Sequence, residues 1–200
     1  MTRRHVLPSD TEDHGFMSRF RATLSRLHEK TGLRFAFSHT EDVSDDIQKH
    51  VSVEAERRGS VNVLEDLETQ TRWLLIEGES EAFEKQVDEA LLLLLEIVPL
   101  RQLRGHARKK PTPVALKRMA LGAGSVADAE TLEILVASLA SDNPIRVCGA
   151  AEAAAVLGWP ELRPALEAAA AVKRTSRVKR ELRAAIAACS PAQTAPSRMV

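Results

Sequence analysis

The sequence is poor in cysteine and in aromatic residues, and it has no long apolar run. Its 200 residues include two cysteines, two tryptophans, five phenylalanines and no tyrosine. Cys148 and Cys189 lie among alanines in predicted helices, which is typical of small core residues rather than of a disulfide. The longest apolar stretch, within residues 90–98, is interrupted by Glu96 and is far shorter than the ~20 residues of a membrane span. The composition therefore argues against a disulfide-rich scaffold and against a membrane-spanning helix.

Motifs of known catalytic and cofactor sites are also missing. The sequence has no glycine-rich phosphate loop, no His-Glu-x-x-His and no Gly-x-Ser-x-Gly. One histidine lies in an acidic cluster, which we interpret as a solvated loop and not as a metal site: His39, Glu41, Asp42, Asp45 and Asp46. We therefore predict a protein that is not an enzyme and needs no cofactor or metal. Because no secretory signal is recognisable at the start, we expect a cytoplasmic location.

Charge and alanine are unevenly distributed along the chain. The 28 Lys and Arg balance the 28 Asp and Glu, but residues 1–100 contain 12 basic and 20 acidic side chains. Residues 101–200 contain 16 basic and 8 acidic side chains, together with 24 alanines against 5 in the first half. Such a contrast predicts two structural units of different chemistry.

The first half shows a mixture of helix and strand patterns. Apolar residues at helical spacing predict a first helix that ends at Gly32. The other elements predicted here are strands at 33–38, 51–55 and 72–77, and helices at 60–67 and 79–98. We therefore predict a small three-stranded α+β domain at residues 16–98, preceded by a disordered arm at residues 1–15.

Residues 99–113 have the composition of a linker. Pro99, Pro111 and Pro113 interrupt the segment, and seven basic residues with no acidic residue lie between Arg101 and Arg118. Beyond the linker, apolar spacing predicts only helices as far as residue 189, and a disordered tail at residues 190–200.

A repeated pattern runs through the predicted helices. Asp142-Asn143-Pro144-Ile145-Arg146 precedes an alanine-rich helix that ends in Val156-Leu157-Gly158, and residues 178–186 repeat the theme 33 residues after Ile145. These residues resemble the second helix of HEAT-like repeats, over about residues 112–189, with a shorter copy at residues 114–122. The resemblance implies a repeat array at residues 114–189 that offers an extended binding surface. An ordinary alanine-rich helical bundle is the alternative.

These patterns together define the expected fold and function. We predict an α+β fold class, with a small three-stranded N-terminal domain followed by an all-α HEAT-like helical repeat array. The expected function is that of a non-catalytic adaptor or regulatory subunit, bound to a protein partner with an acidic surface. The alternative is a nucleic-acid-associated protein that uses the basic clusters at 101–118 and 173–183. Single-strand binding is disfavoured because Trp159 is the only aromatic residue of the second half. The oligomeric state stays open.

The residues predicted to contact the partner are basic and lie in the second half of the chain. Clusters of Lys and Arg attract acidic surfaces or phosphate backbones through the same charge. The predicted set comprises Arg101, Arg104, Arg108, Lys109, Lys110, Arg146, Lys173, Arg177 and Arg180.

Overall fold

The computed structural model describes residues 3–8, 15–172 and 174–190. These residues belong to two compact units. The first, which we call the sheet unit, extends to Gly105 and includes Leu121–Ser125. The second, the helical unit, comprises His106–Ala120 and the residues from Val126 onward.

The described residues form five β-strands and eight α-helices. The strands are β1 (Arg3–Val6), β2 (Phe35–Ser44), β3 (Ile47–Glu54), β4 (Gly59–Asp66) and β5 (Thr71–Gly78). The helices are α1 (Phe16–Thr31), α2 (Glu81–Leu92), α3 (Leu100–Lys109), α4 (Pro113–Gly122), α5 (Ala129–Leu139), α6 (Pro144–Leu157), α7 (Arg163–Ala171) and α8 (Ser176–Ala188). A short 3-10 helix at Pro160–Leu162 precedes α7.

The five strands form one antiparallel sheet in the order β1-β5-β4-β3-β2. Successive strands from β2 to β5 are neighbours, as expected when short turns join antiparallel strands. Val61 lies opposite Ile76 and Val63 opposite Leu74, so alternate residues of β4 and β5 share one face. These four side chains belong to a buried apolar core that also includes residues of α1 and α2.

Local sequence signals explain where α1 ends and where α2 begins. In α1, Phe20, Leu24 and Leu27 are buried at a helical spacing. The helix ends at Gly32, which has a φ of 75° and donates its N–H to the carbonyl of His28. Glycine reaches this left-handed conformation without the steric cost that a Cβ would add. At the start of α2, the side chain of Ser80 accepts the N–H of Phe83.

An ion-pair cluster joins β1 to α2. The carboxylate of Asp88 accepts a hydrogen bond from Nη1 of Arg3 at 3.0 Å, and its other oxygen contacts Nε2 of His5. Burial tends to raise the pKa of Asp88, but the hydrogen bond from His5 and the charges of His5 and Arg3 outweigh it, so the pKa is lowered. The native state therefore favours the ionised carboxylate.

This cluster predicts a loss of stability in acid. A carboxylate whose pKa is lowered on folding adds stability that is present above its unfolded pKa and is lost as the pH falls through its folded pKa. We expect Asp88→Asn to destabilise the sheet unit at pH 7 by about 1–3 kcal/mol, since it leaves the charge of Arg3 without its counter-ion and replaces the carboxylate that contacts His5. Between pH 5 and pH 2 the wild type should lose more stability than the variant. Urea unfolding across that range gives the free energy of unfolding of both proteins as a function of pH. The same pH dependence in both would contradict the stabilising role of the Asp88 carboxylate.

The helical unit is built around α6. This helix contacts α5 and α8, and α7 contacts α5 and α8 in turn. Small side chains face the neighbours of α6, since Ala150, Ala151 and Ala154 are fully buried. Alanine lets two helix backbones approach closely, which explains the extensive contact between α6 and α8. The helix ends at Gly158, whose φ of 63° is left-handed.

Both cysteines are buried and unpaired, as the alanine-rich context predicts. Cys189 directs its sulfur at the carbonyl of Ala154, at 3.4 Å. Among the described residues, no helix combines the length and the apolar character that crossing a membrane requires.

The fold class predicted from the sequence is wrong. The described residues form a five-stranded antiparallel sheet with eight α-helices in a mixed fold, instead of a three-stranded domain followed by an all-α repeat array. Two strands account for the difference in the sheet. β1 lies within the predicted arm at residues 1–15, and β4 occupies the position of the predicted helix at residues 60–67.

Other observed elements agree more closely with those predicted from the sequence. The predicted helices at α1, α5, α6 and α8 are confirmed, and the strand at residues 72–77 corresponds to β5. The long helix predicted at residues 79–98 ends earlier, because α2 stops at Leu92. Within the predicted linker at residues 99–113, α3 is helical. The tail beyond Ser190 lies outside the described residues, and the resemblance of residues 112–189 to HEAT-like repeats stays a prediction.

Candidate functional site

The basic residues predicted to bind a partner are divided between the two units. Arg101 and Arg104 lie on α3 within the sheet unit, whereas the other described members belong to the helical unit. Lys173 lies outside the described residues. Arg108 approaches Glu133 of α5 at 3.6 Å, and Arg180 pairs with its neighbour Glu181 at 2.9 Å. These two arginines therefore have carboxylate partners within the unit itself.

Two of the predicted residues, Lys110 and Arg146, line one open groove of about 330 Å³ in the helical unit. The lining residues are Lys110, Pro111, Thr112, Pro113, Ser141, Asn143, Ile145 and Arg146. None of these described residues carries a carboxylate, so they contribute two positive charges and no negative charge to the groove. The prolines and Ile145 give it an apolar surface beside the charged groups.

The start of α6 orients the groove residues. Asn143 caps this helix, because its side-chain oxygen accepts the N–H of Ile145 at 3.0 Å and of Arg146 at 3.4 Å. Pro144 fits the first helical position, where no N–H donor is required. The side chain of Ile145 is left 65% exposed, so its apolar surface is accessible beside the groove.

Arg146 is held from one side only. Its Nε donates to the hydroxyl of Ser138 at 3.3 Å, and that hydroxyl in turn donates to the carbonyl of Ile134 at 2.8 Å. Its terminal guanidinium nitrogens have no hydrogen-bond partner among the described residues. The arginine is therefore positioned by the fold and still has donors available for a carboxylate.

The helices α6 and α8 begin at the same end of the helical unit. Their last turns meet where Cys189 contacts the carbonyl of Ala154, and at their first turns the charges of Arg174 and Arg177 act on Cys148. Arg174 also donates to the carbonyls of Ser141 at 3.2 Å and Leu139 at 3.4 Å. The N-termini of two parallel helices add their partial positive charge at this end.

We call this region the basic end and define it by Lys110, Arg146, Arg174 and Arg177. The charge of Arg174 is directed at main-chain carbonyls, whereas Arg177 is exposed. Asp142 is an exposed acidic residue next to the groove and reduces the net positive charge. The basic end is therefore suited to holding the carboxylates of a partner, while the exposed Ile145 offers an apolar contact between them.

The chemistry of the buried Cys148 does not suit a nucleophile. Burial raises the pKa of this thiol, and the charges of Glu152 and Glu181 add to that effect while Arg177 and Arg174 oppose it. Burial also raises the pKa of Cys189. Because the thiolate is the reactive form, both cysteines are kept in the unreactive thiol form.

The acidic segment around His39 was predicted to be a solvated loop, but it is a β-hairpin. It forms the hairpin of β2 and β3, in which Lys49 approaches Glu41 at 3.2 Å and His39 approaches the same carboxylate at 3.7 Å. The hydrogen bond from Lys49 and its charge lower the pKa of Glu41. Among the described residues, no group of three His, Cys, Asp or Glu side chains is arranged to hold a metal ion.

Two features of the site were missed by sequence analysis. The exposure of Ile145 has a signal in the sequence, since this residue follows the Asn-Pro cap and lies off the stripe defined by the buried Val147, Ala150 and Ala154. The convergence of Lys110 with Arg146 has no such signal, because 35 residues separate them in the sequence.

The fold and the site define a two-unit protein of mixed α and β structure, with a basic and partly apolar groove in its helical unit. Comparison with protein-family models, with curated proteins and with solved structures finds no match to this chain.

Proposed function

We propose that this protein is a non-catalytic adaptor or regulatory subunit, which binds an acidic surface of a protein partner through the basic end of its helical unit. One observation carries the proposal. Lys110 and Arg146 line the same groove with the exposed Ile145, and none of the eight described lining residues is acidic. A partner segment that combines carboxylates with an apolar side chain matches this lining in charge and in polarity.

The expected mode of binding follows from the donors that the groove presents. Carboxylates of the partner accept hydrogen bonds from the free guanidinium nitrogens of Arg146 and from the ammonium group of Lys110. An apolar side chain packs on Ile145 and the adjacent prolines. Hydrogen bonds to charged groups contribute about 1.5–3 kcal/mol each. Charges at the rim, such as Arg177, mainly accelerate the encounter with an acidic partner.

Charge reversal within the groove tests the proposal. The double variant Lys110→Glu/Arg146→Glu should reduce recovery of the partner from a lysate of the source organism at least tenfold. Loss of about 1.4 kcal/mol already corresponds to tenfold in affinity. The matched control is Lys179→Glu/Arg183→Glu, which changes the net charge equally at two exposed positions of α8 outside the groove. Quantitative mass spectrometry compares the three proteins, and circular dichroism checks that both variants are folded.

Nuclease treatment separates the proposed partner from nucleic acid. Recovery of the same protein after nuclease digestion, with loss only in the groove variant, supports the proposal. Equal loss in both variants would mean that overall charge matters and the groove does not. If nuclease removes all recovered material, the bound molecule is a nucleic acid and the proposal fails.

A further inference from the structure

A second cavity, of about 470 Å³, lies in the sheet unit and plays no part in the proposed function. It is formed between α1, the segment after α2 and the segment after β1. Its lining consists of Leu7, Pro8, Phe16, Arg19, Phe20, Ala22, Thr23, Arg26, Leu94, Leu95 and Glu96. Its volume falls within the range of about 300–1,000 Å³ typical of small-molecule sites.

The floor of this cavity is apolar and aromatic. Leu7 and Phe20 are almost fully buried, and the rings of Phe16 and Phe20 are stacked with their centres 6.1 Å apart. Leu94 and Leu95 are only partly buried and form the opposite wall. Covering this accessible apolar surface with an apolar ligand lowers the free energy, so it favours binding.

Main-chain hydrogen bonds hold two of the walls in place. The N–H of Leu7 donates to the carbonyl of Arg72 at 3.0 Å, which extends the pairing of β1 with β5. The N–H groups of Leu94 and Leu95 both donate to the carbonyl of Leu91 at 2.9 Å. The cavity is therefore preformed, and a ligand does not have to order these segments when it binds.

Positive charge predominates among the lining residues. Arg19 and Arg26 lie on the same face of α1, seven residues or about 10 Å apart, while Glu96 is the only acidic residue among the described residues that line the cavity. Arg26 is exposed and has no ion pair or hydrogen bond from its side chain among the described residues. Its guanidinium can therefore bind a ligand anion without losing a partner among these residues.

From these observations we infer that the cavity binds a small organic carboxylate, in which an aromatic or aliphatic body lies on the apolar floor and the carboxylate pairs with Arg26. The planar guanidinium matches a carboxylate with two parallel hydrogen bonds, which gives geometric selectivity. The apolar body supplies affinity, because a carboxylate alone would exchange one hydrated state for another at an exposed arginine.

Naphthalene-2-carboxylate is a suitable probe, because it joins a rigid aromatic body to one carboxylate. Isothermal titration calorimetry with the full chain should show saturable binding with one site and a Kd below about 1 mM. The neutral naphthalene-2-methanol should bind at least fivefold more weakly, and the cationic naphthalene-2-methylamine should not bind detectably. Amide chemical shifts should change around Phe20, Thr23 and Leu95.

Three variants locate the site and identify the role of each part. Arg26→Gln should weaken binding of the carboxylate at least fivefold and leave binding of the alcohol unchanged. Lys30→Gln is the matched control, since it removes an exposed charge of α1 that does not line the cavity. Ala22→Trp fills the cavity from an exposed position and should abolish binding of both probes.

Several outcomes would overturn the inference. These are the absence of carboxylate binding to the wild type, equal affinity for the carboxylate and the alcohol, and an unchanged Kd in Arg26→Gln. Arg26 is exposed, so its variant is expected to remain folded and keeps the test decisive even if Ala22→Trp is destabilised. The proposed function has a separate test on the helical unit, and failure of one leaves the other unaffected.

Discussion

Leu182→Asp is expected to unfold the helical unit at room temperature. Leu182 lies on α8 and is fully buried, in line with the buried Val178 and Ala185 on the face of this helix that meets α6. Removing a buried leucine side chain costs about 2–5 kcal/mol. An unpaired carboxylate in the same place adds several kcal/mol. Their sum approaches the ~5–15 kcal/mol that stabilises a whole domain.

Circular dichroism at 222 nm and thermal unfolding measure this effect. Ala184→Asp introduces the same side chain two residues later, at an exposed position of the same helix. This control should cost no more than about 1 kcal/mol, mostly through the lower helix propensity of Asp. A melting temperature unchanged by Leu182→Asp would mean that this face of α8 is not part of a core.

Helices with both a cap and an apolar stripe could be predicted from the sequence. In α1, the spacing of Phe20, Leu24 and Leu27 ends at a glycine, and the structure places Gly32 in the left-handed conformation. In α6, the Asn143-Pro144 start and the Gly158 end both act as caps. Local signals were sufficient here because the helix is specified by its own residues.

The strand β4 was mistaken for a helix because it is buried on both faces. Val61, Asn62, Val63 and Leu64 are all buried in succession, so the alternation of a half-buried strand is absent. Val61, Leu64 and Leu67 then happen to match a helical spacing. In the structure β4 lies between β3 and β5, while Leu67 follows the strand and is exposed. Its conformation is decided by pairing with β3 and β5, and these contacts cannot be recognised from the residues of β4 alone.

The strand β1 gives almost no local signal. It consists of Arg3, Arg4, His5 and Val6, a short and mostly polar segment. Its place in the sheet depends on backbone pairing with β5, some 70 residues later, and on the contacts of Arg3 and His5 with Asp88. Neither partner can be recognised from the four residues themselves, so the segment was predicted to be part of a disordered arm.

The basic end could also be predicted only in part, because its charges are visible in the sequence but its geometry depends on contacts between distant residues. The runs of Lys and Arg are visible in the sequence and predicted the kind of surface to look for. Which residues converge depends on the turn that precedes α6 and on the packing of the start of α4 against α6, where Pro113 lies against Gly149. That packing places Lys110 beside Arg146 in one groove, whereas Arg108 is directed to Glu133.

Gly149→Ala and Gly105→Ala are expected to change stability in opposite directions, although both replace a glycine within a helix. A Cβ added at Gly149 of α6 would lie 2.5 Å from Cα of Pro113 and 2.9 Å from its Cβ. These atoms belong to the start of α4 and cannot rotate away, so the helix itself must shift. A Cβ at Gly105 of α3 would have no atom within 4 Å, apart from its chain neighbours and the backbone of its own helix.

The two effects can be compared in magnitude. Alanine favours a helix over glycine by about 0.8–1.0 kcal/mol, and this gain applies to both positions. Overpacking at Gly149 costs about 1–3 kcal/mol, which exceeds the gain. We therefore expect Gly105→Ala to raise the unfolding midpoint and Gly149→Ala to lower it, by a few °C each. Thermal unfolding followed by circular dichroism gives both shifts, and stabilisation by Gly149→Ala would mean that α4 does not pack against α6 at Pro113.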